Sequence, residues 1–137
     1  MTAETANMTL LDDTRIGIFI TTKRDGMPIG IPVWFDWDGK TIRCFAEKGS
    51  KKIKRLARDP RASLLITNNA GEPEAWVAFD GEVTIKDEGA IELAEKLAGQ
   101  YYDLTEEVYA KRLASWKASP ESFVLLEMTP SNIRTGG

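Results

Sequence analysis

The 137-residue chain carries 18 Lys and Arg against 21 Asp and Glu, a net charge of −3, with 42% hydrophobic residues, one cysteine and no histidine. That hydrophobic content supplies a core without disulfide or metal staples. The missing histidine excludes Ser-His-Asp and Cys-His catalysis and histidine metal sites, and a single cysteine excludes thiolate zinc sites and an internal disulfide.

By length the chain predicts one domain, residues 1–137. Its start, MTAETANMTLLDDT, has an acid at Glu4 and no apolar h-region, and no apolar run approaches a membrane span. The expectation is a cytoplasmic protein without membrane contact.

Thr9 to Asp13 reads as the end of a short N-terminal helix. Residues 15–22, RIGIFITT, put Ile16, Ile18 and Ile20 on one strand face. Asp25-Gly26 signals a hairpin. Residues 29–37, IGIPVWFDW, read as the next strand, with Pro32 marking an edge or a bulge because it removes a ladder donor. Asp38-Gly39 turns into Thr41 to Ala46, completing an antiparallel meander.

A helix follows, about Ser50 to Arg58, with Ile53, Leu56 and Ala57 as its buried stripe. Ala62 to Thr67 is a short strand and NNAGEP a loop. Residues 74–86 read as one long strand, Val77, Phe79, Val83 and Ile85 on one face, with Gly81 marking a bulge or bend. Two helical patterns come next, Ile91, Ala94, Leu97, Ala98 and then Leu104, Val108, Leu113, Trp116. Ser122 to Met128 is the last strand, and the tail SNIRTGG is expected to be mobile at its end. Six mostly antiparallel strands with a few helices predict a small closed or nearly closed barrel.

Charge is concentrated at one place. Residues 48–61 hold seven cations and one acid, leaving eleven cations and twenty acids elsewhere. The cations Lys51, Lys52, Lys54 and Arg55 open a helix, at its positive end, where each costs about a few tenths of a kcal/mol. Ser50 is a good N-cap, and its hydroxyl, the first-turn N–H groups and Lys51 and Lys52 compose a receptor for phosphate. The alternative is a solvated basic face. A basic island on an acidic body favours one compact anionic ligand. It disfavours nucleic acid, since no aromatic stripe interleaves the cations.

Pro32, Val33, Trp34 and Phe35 are either core or a strand along which a flat aromatic ligand lies. Trp37, Trp76, Trp116, Tyr101, Tyr102 and Tyr109 read as core or subunit interface. Trp76 is on the opposite strand face from Val77 and Phe79, which suits a dimer contact or a ligand pocket. Cys44 reads as a packed thiol, and Asp36 and Asp38 carry little weight as an acid/base pair.

These pieces, in order, resemble the pyridoxamine 5′-phosphate oxidase-like flavin-binding superfamily and the related F420-dependent reductases. The resemblance runs over roughly residues 13–130 and rests on Gly26-x-Pro28, Pro32-Val33-Trp34-Phe35, the Asp-Gly hairpin, Ser50-Lys51-Lys52 through Leu56, Asp59 to Leu65, and Trp76 to Val83. It implies a mainly β fold with helices, a six-stranded antiparallel split β-barrel of the FMN-binding type.

It further implies that Lys51 and Lys52, with Ser50 nearby, hold the cofactor phosphate. Pro32 to Phe35 line the flavin ring, partly through backbone groups. Phe45 and Ala46 run beside the cofactor, and Trp76 lies on the neighbouring strand. The implied protein is a homodimer with FMN at the subunit interface and a small-molecule substrate. F420 is the alternative cofactor, its acidic tail drawing on Lys54, Arg55 or Arg58; a non-enzymatic flavin binder is the second alternative. Pyridoxamine phosphate oxidases carry Arg-x-His near the C-terminus, and this chain has no histidine. The implied activity is therefore that of an oxidoreductase with an open substrate.

Overall fold

The computed structural model describes residues 7–137. After a short 3-10 turn at Thr9–Asp12, the chain forms β1 (Gly17–Thr22), β2 (Pro28–Val33), β3 (Asp36–Trp37) and β4 (Ile42–Glu47). There follow α1 (Lys51–Arg58), β5 (Arg61–Thr67), β6 (Trp76–Glu82), β7 (Thr84–Lys86), α2 (Ala90–Tyr101), α3 (Glu107–Ala118), β8 (Phe123–Met128) and β9 (Asn132–Gly136). The strands make two antiparallel sheets, ordered β2-β1-β5-β6-β9 and β3-β4-β8-β7. The mainly β, antiparallel fold with helices is as expected, while the six-stranded, closed or nearly closed split barrel is corrected to nine strands, among the described residues, in two open sheets.

The extra strands come from chain crossings. The run over residues 29–37 leaves the five-stranded sheet after Val33 and joins the other sheet at Asp36. The run over 74–86 does the same at Val83, whose N–H donates to the Pro60 carbonyl at 2.8 Å. Gly81 serves that bend, because a Cβ there would stand 3.0 Å from Met128 Cγ and 3.3 Å from the Thr129 carbonyl oxygen. The tail is also a strand rather than a mobile end: β9 pairs with β6 from Asn132 opposite Asp80 to Gly136 opposite Trp76.

Between the sheets lies the main core. Phe19, Leu64, Ile66, Val77 and Phe79 from the larger sheet meet Ile42, Cys44, Leu126 and Met128 from the smaller, with Leu56 of α1 closing one end. The other face of the smaller sheet carries Phe123 and Leu125 against Ala90, Leu93 and Leu97 of α2. In α1, Ile53 and Leu56 face inward as expected, but Ala57 is exposed.

Ile16, Ile18 and Ile20 share one strand face as expected, and it is the outer one. In β1 the buried side is Gly17, Phe19 and Thr21, while Ile18 and Ile20 are only half-buried and Ile16 is 47% exposed. Both sides of β1 are apolar, so alternation alone does not tell inside from outside. Among the described residues no helix is long and apolar enough to cross a membrane.

Candidate functional site

Gly49, at φ 78°, turns the chain from β4 into α1, and Ser50 takes the extended N-cap conformation. The first turn holds no acidic residue. The Ser50 hydroxyl oxygen is buried and has no hydrogen-bond partner among the described residues. An unmade hydrogen bond of that kind costs about 1–3 kcal/mol. The α1 start therefore combines unpaired first-turn N–H groups, an orphaned hydroxyl and two lysines, a donor set suited to phosphate oxygens.

The two lysines differ. Lys51 is exposed, whereas Lys52 is half-buried, its Nζ 5.7 Å from the centre of the Phe19 ring. Lys52 lies four residues before Leu56 and so shares the inward face of α1. Burial lowers its pKa from the ordinary lysine value, and the nearby Arg55 charge acts in the same direction. Cys44 beside it is buried, which pushes its thiol up to about 12 and keeps it neutral.

Lys52 opens onto a cleft of about 430 Å³. Pro32 and Val33, at the end of β2, line it together with Trp34, Phe45, Tyr102, Trp116 and Ile16. Because β2 is the edge of its sheet, its outer backbone groups have no strand partner among the described residues. Trp34 is stacked on Tyr101 with centroids 5.0 Å apart, and meets Tyr102 edge-on at 4.6 Å. Tyr101 fixes the crossing from β2 to β3: its hydroxyl donates to the Arg15 carbonyl at 2.5 Å and accepts from the Phe35 N–H at 3.4 Å. Burial pushes the Tyr101 phenol up from its ordinary pKa.

The site residues expected from sequence divide into three groups. Pro32, Val33, Trp34, Phe45 and Lys52 meet in the cleft, with Ser50 and Lys51 at the adjoining helix start. Phe35 is in the main core and Ala46 packs against it. Each is adjacent in sequence to a residue that lines the cleft, so pleating or the crossing turns its side chain away. Trp76 is elsewhere in the chain, in an apolar recess of about 430 Å³ on the outer face of the larger sheet, with Ile20, Leu65, Ala78 and Arg134.

The basic island is spread rather than clustered. Arg55 Nε donates to Thr21 Oγ1 at 3.1 Å, Arg58 to the Thr22 carbonyl at 3.0 Å, and Arg61 pairs with Asp59 at 2.8 Å. Asp36 pairs with Lys96 at 2.8 Å and Asp38 with Arg43 at 2.7 Å, so these two carboxylates act separately. Ile16, Tyr102 and Trp116 are cleft residues that the sequence reading did not assign to a site. Trp116 keeps helical spacing with Leu113, but nothing local tells that α3 folds back to reach residue 34.

The family model described as pyridoxamine 5′-phosphate oxidase matches residues 3–135. The chain belongs to the pyridoxamine 5′-phosphate oxidase family. Solved structures carry the same fold. An F420 reductase matches with a TM-score of 0.74 at 22% identity, over 92% of this chain and 94% of that one. General Stress Protein 26 from Bacillus anthracis str. Sterne matches with 0.66 at 18% identity, over 98% and 94%. A FAD-binding protein from Mesorhizobium loti matches with 0.63 at 20% identity, over 98% and 94%. By sequence, no curated protein matches the chain.

Proposed function

We propose that this chain is a cytoplasmic, single-domain, FMN-dependent oxidoreductase that works as a homodimer on a small-molecule substrate. The observation that carries the reading is the buried Ser50 hydroxyl at the start of α1, without a partner among the described residues and next to Lys52 and the aromatic cleft. Ser50, Lys51 and Lys52 would hold the phosphate. Pro32, Val33, Trp34 and Phe45 would border the ring, through the free edge of β2 and their apolar surfaces. Bound FMN would supply hydride or electron transfer, which the chain's own side chains do not provide. The protein's part is to neutralise the phosphate, orient the ring and keep water from it.

The outer face of the larger sheet supports the dimer. Ile16, Ile18, Ile20, Leu65 and Trp76 expose apolar surface there, and a second copy would cover it. In that arrangement Trp76 would reach the cofactor of the partner rather than its own.

The second reading is F420 in place of FMN, and what supports it is an F420 reductase among the solved structures with the same fold. Titration of the purified protein with FMN and with F420, followed by absorbance and flavin fluorescence, decides between them. Tight FMN binding is expected. Preference for F420 moves the assignment to the deazaflavin cofactor, and binding of neither overturns it.

A further inference from the structure

The cleft has a second polar feature opposite in kind to the lysine end. Tyr102 follows the last residue of α2 and lines the cleft. Its ring is stacked on Tyr109 of α3, centroids 4.2 Å apart at 14°. Arg112, one turn further along α3, lays its guanidinium 5.8 Å from the Tyr102 centroid and 5.9 Å from that of Tyr109. One of its N–H groups donates to the Tyr102 hydroxyl at 2.9 Å.

Two donors are left over by this arrangement. The Tyr102 oxygen is used as an acceptor, and its own proton has no acceptor among the described residues. Arg112 is exposed and pairs with no carboxylate among them, although the chain has more acids than bases. A guanidinium held by two rings and one hydrogen bond keeps its remaining N–H groups in a fixed fork. A phenol that accepts from a cation is a stronger donor in turn. Beside them, the aromatic side chains of Trp34, Phe45 and Trp116 line the cleft.

We infer that Tyr102 and Arg112 form the substrate end of the cleft and select a planar conjugated acceptor that carries a carboxylate or a similar anion. The inference rests on the cleft being the cofactor site proposed above. Tyr102 donates to the anion, Arg112 supplies the charge, and the aromatic walls hold the ring system. The same contacts would otherwise serve only to staple α3 to the end of α2, and the two roles differ in what they discriminate.

The test is equilibrium dialysis of FMN-loaded and FMN-free protein with anthraquinone-2-carboxylate and with the neutral anthraquinone-2-carboxamide. A charge-assisted hydrogen bond predicts that the carboxylate binds about tenfold tighter than the amide. Tyr102→Phe and Arg112→Ala should each bring that ratio close to one, and Arg112→Lys should keep part of it. Equal binding of the two probes by the unaltered protein overturns the inference. So does an unchanged ratio in both Tyr102→Phe and Arg112→Ala, or an equal weakening of both probes, which is the behaviour of a staple. Failure to bind FMN with the carboxylate preference intact removes the cofactor reading and leaves the anion site standing. FMN binding without the preference removes the anion site alone.

Discussion

The Lys52 ammonium rests 5.7 Å from the centre of the Phe19 ring, on the inner side of a helix whose neighbouring Lys51 points to solvent. A half-buried cation without a carboxylate partner among the described residues is expensive in the free protein and is well placed to hold an anion. Lys52→Ala should weaken FMN binding by about 100-fold, and Lys51→Ala by about fivefold, with the double variant no better than Lys52→Ala alone. Flavin fluorescence titration reads this directly. Equal, small effects would return the phosphate to a diffuse basic face.

The same burial makes a statement about pH. The folded pKa of Lys52 is below its ordinary value of 10.5, so the unfolded chain binds the proton more tightly. Its charging penalty is fully present below the folded pKa and is relieved as pH rises from there toward 10.5. Lys52→Met, which keeps the length and drops the charge, should be more stable than the unaltered protein at pH 7. That advantage should shrink toward pH 10.5, as measured by urea denaturation of FMN-free protein across the range.

The apolar outer face gives a prediction about assembly. The protein should sediment as two 15.2 kDa chains. Ile20→Asp or Leu65→Asp, placing a charge in the middle of that face, should yield monomers with weakened FMN binding and an unchanged far-ultraviolet circular dichroism spectrum. Monomers that keep full FMN affinity would mean that each cofactor site is complete within one chain.

Gly136 controls the position of Trp76. A Cβ at Gly136 would come within 2.6 Å of the indole, a distance that a stiff ring cannot absorb in place. Gly136→Ala should cost about 1–3 kcal/mol in urea denaturation and shift the near-ultraviolet dichroism of tryptophan. An unaltered signal would mean that β9 moves instead of the ring.

Alternation of apolar residues revealed most of the strands, because it reports which side chains face inward. It does not report which sheet they face inward from. Val33 and Phe35 are both buried, as are Val83 and the partly buried Ile85, so the alternation continues across both crossings and each pair of strands read as one. In β1 the pattern grouped Ile16, Ile18 and Ile20 on one face but named no inner side, since Ile18 and Ile20 are as apolar as Phe19 and the choice is made by packing against Leu64 and Phe79.

The site was legible where its logic is local. Cations at a helix start are visible in the sequence, and so is the four-residue step from Lys52 to Leu56 that turns one lysine inward. The cleft's far wall was not legible, because it depends on where the α2–α3 hairpin comes to rest. Tyr102 and Trp116 are separated by a helix in the chain and brought to Trp34 only by the tertiary fold, with centroids 4.6 and 6.1 Å away.

None of the twelve residues of α3 is buried, and Val108 at its start is 55% exposed. The helix contributes Trp116 to the cleft and Arg112 to the Tyr102 hydroxyl beside it, and only the partly buried Trp116 packs against the core cluster between α2 and β8. Substitutions there are released from the packing constraints that hold the two sheets. On the function proposed above, selectivity can therefore drift by changes in one surface helix without touching the lysine end or the fold, which makes α3 the place to redesign what the cleft accepts.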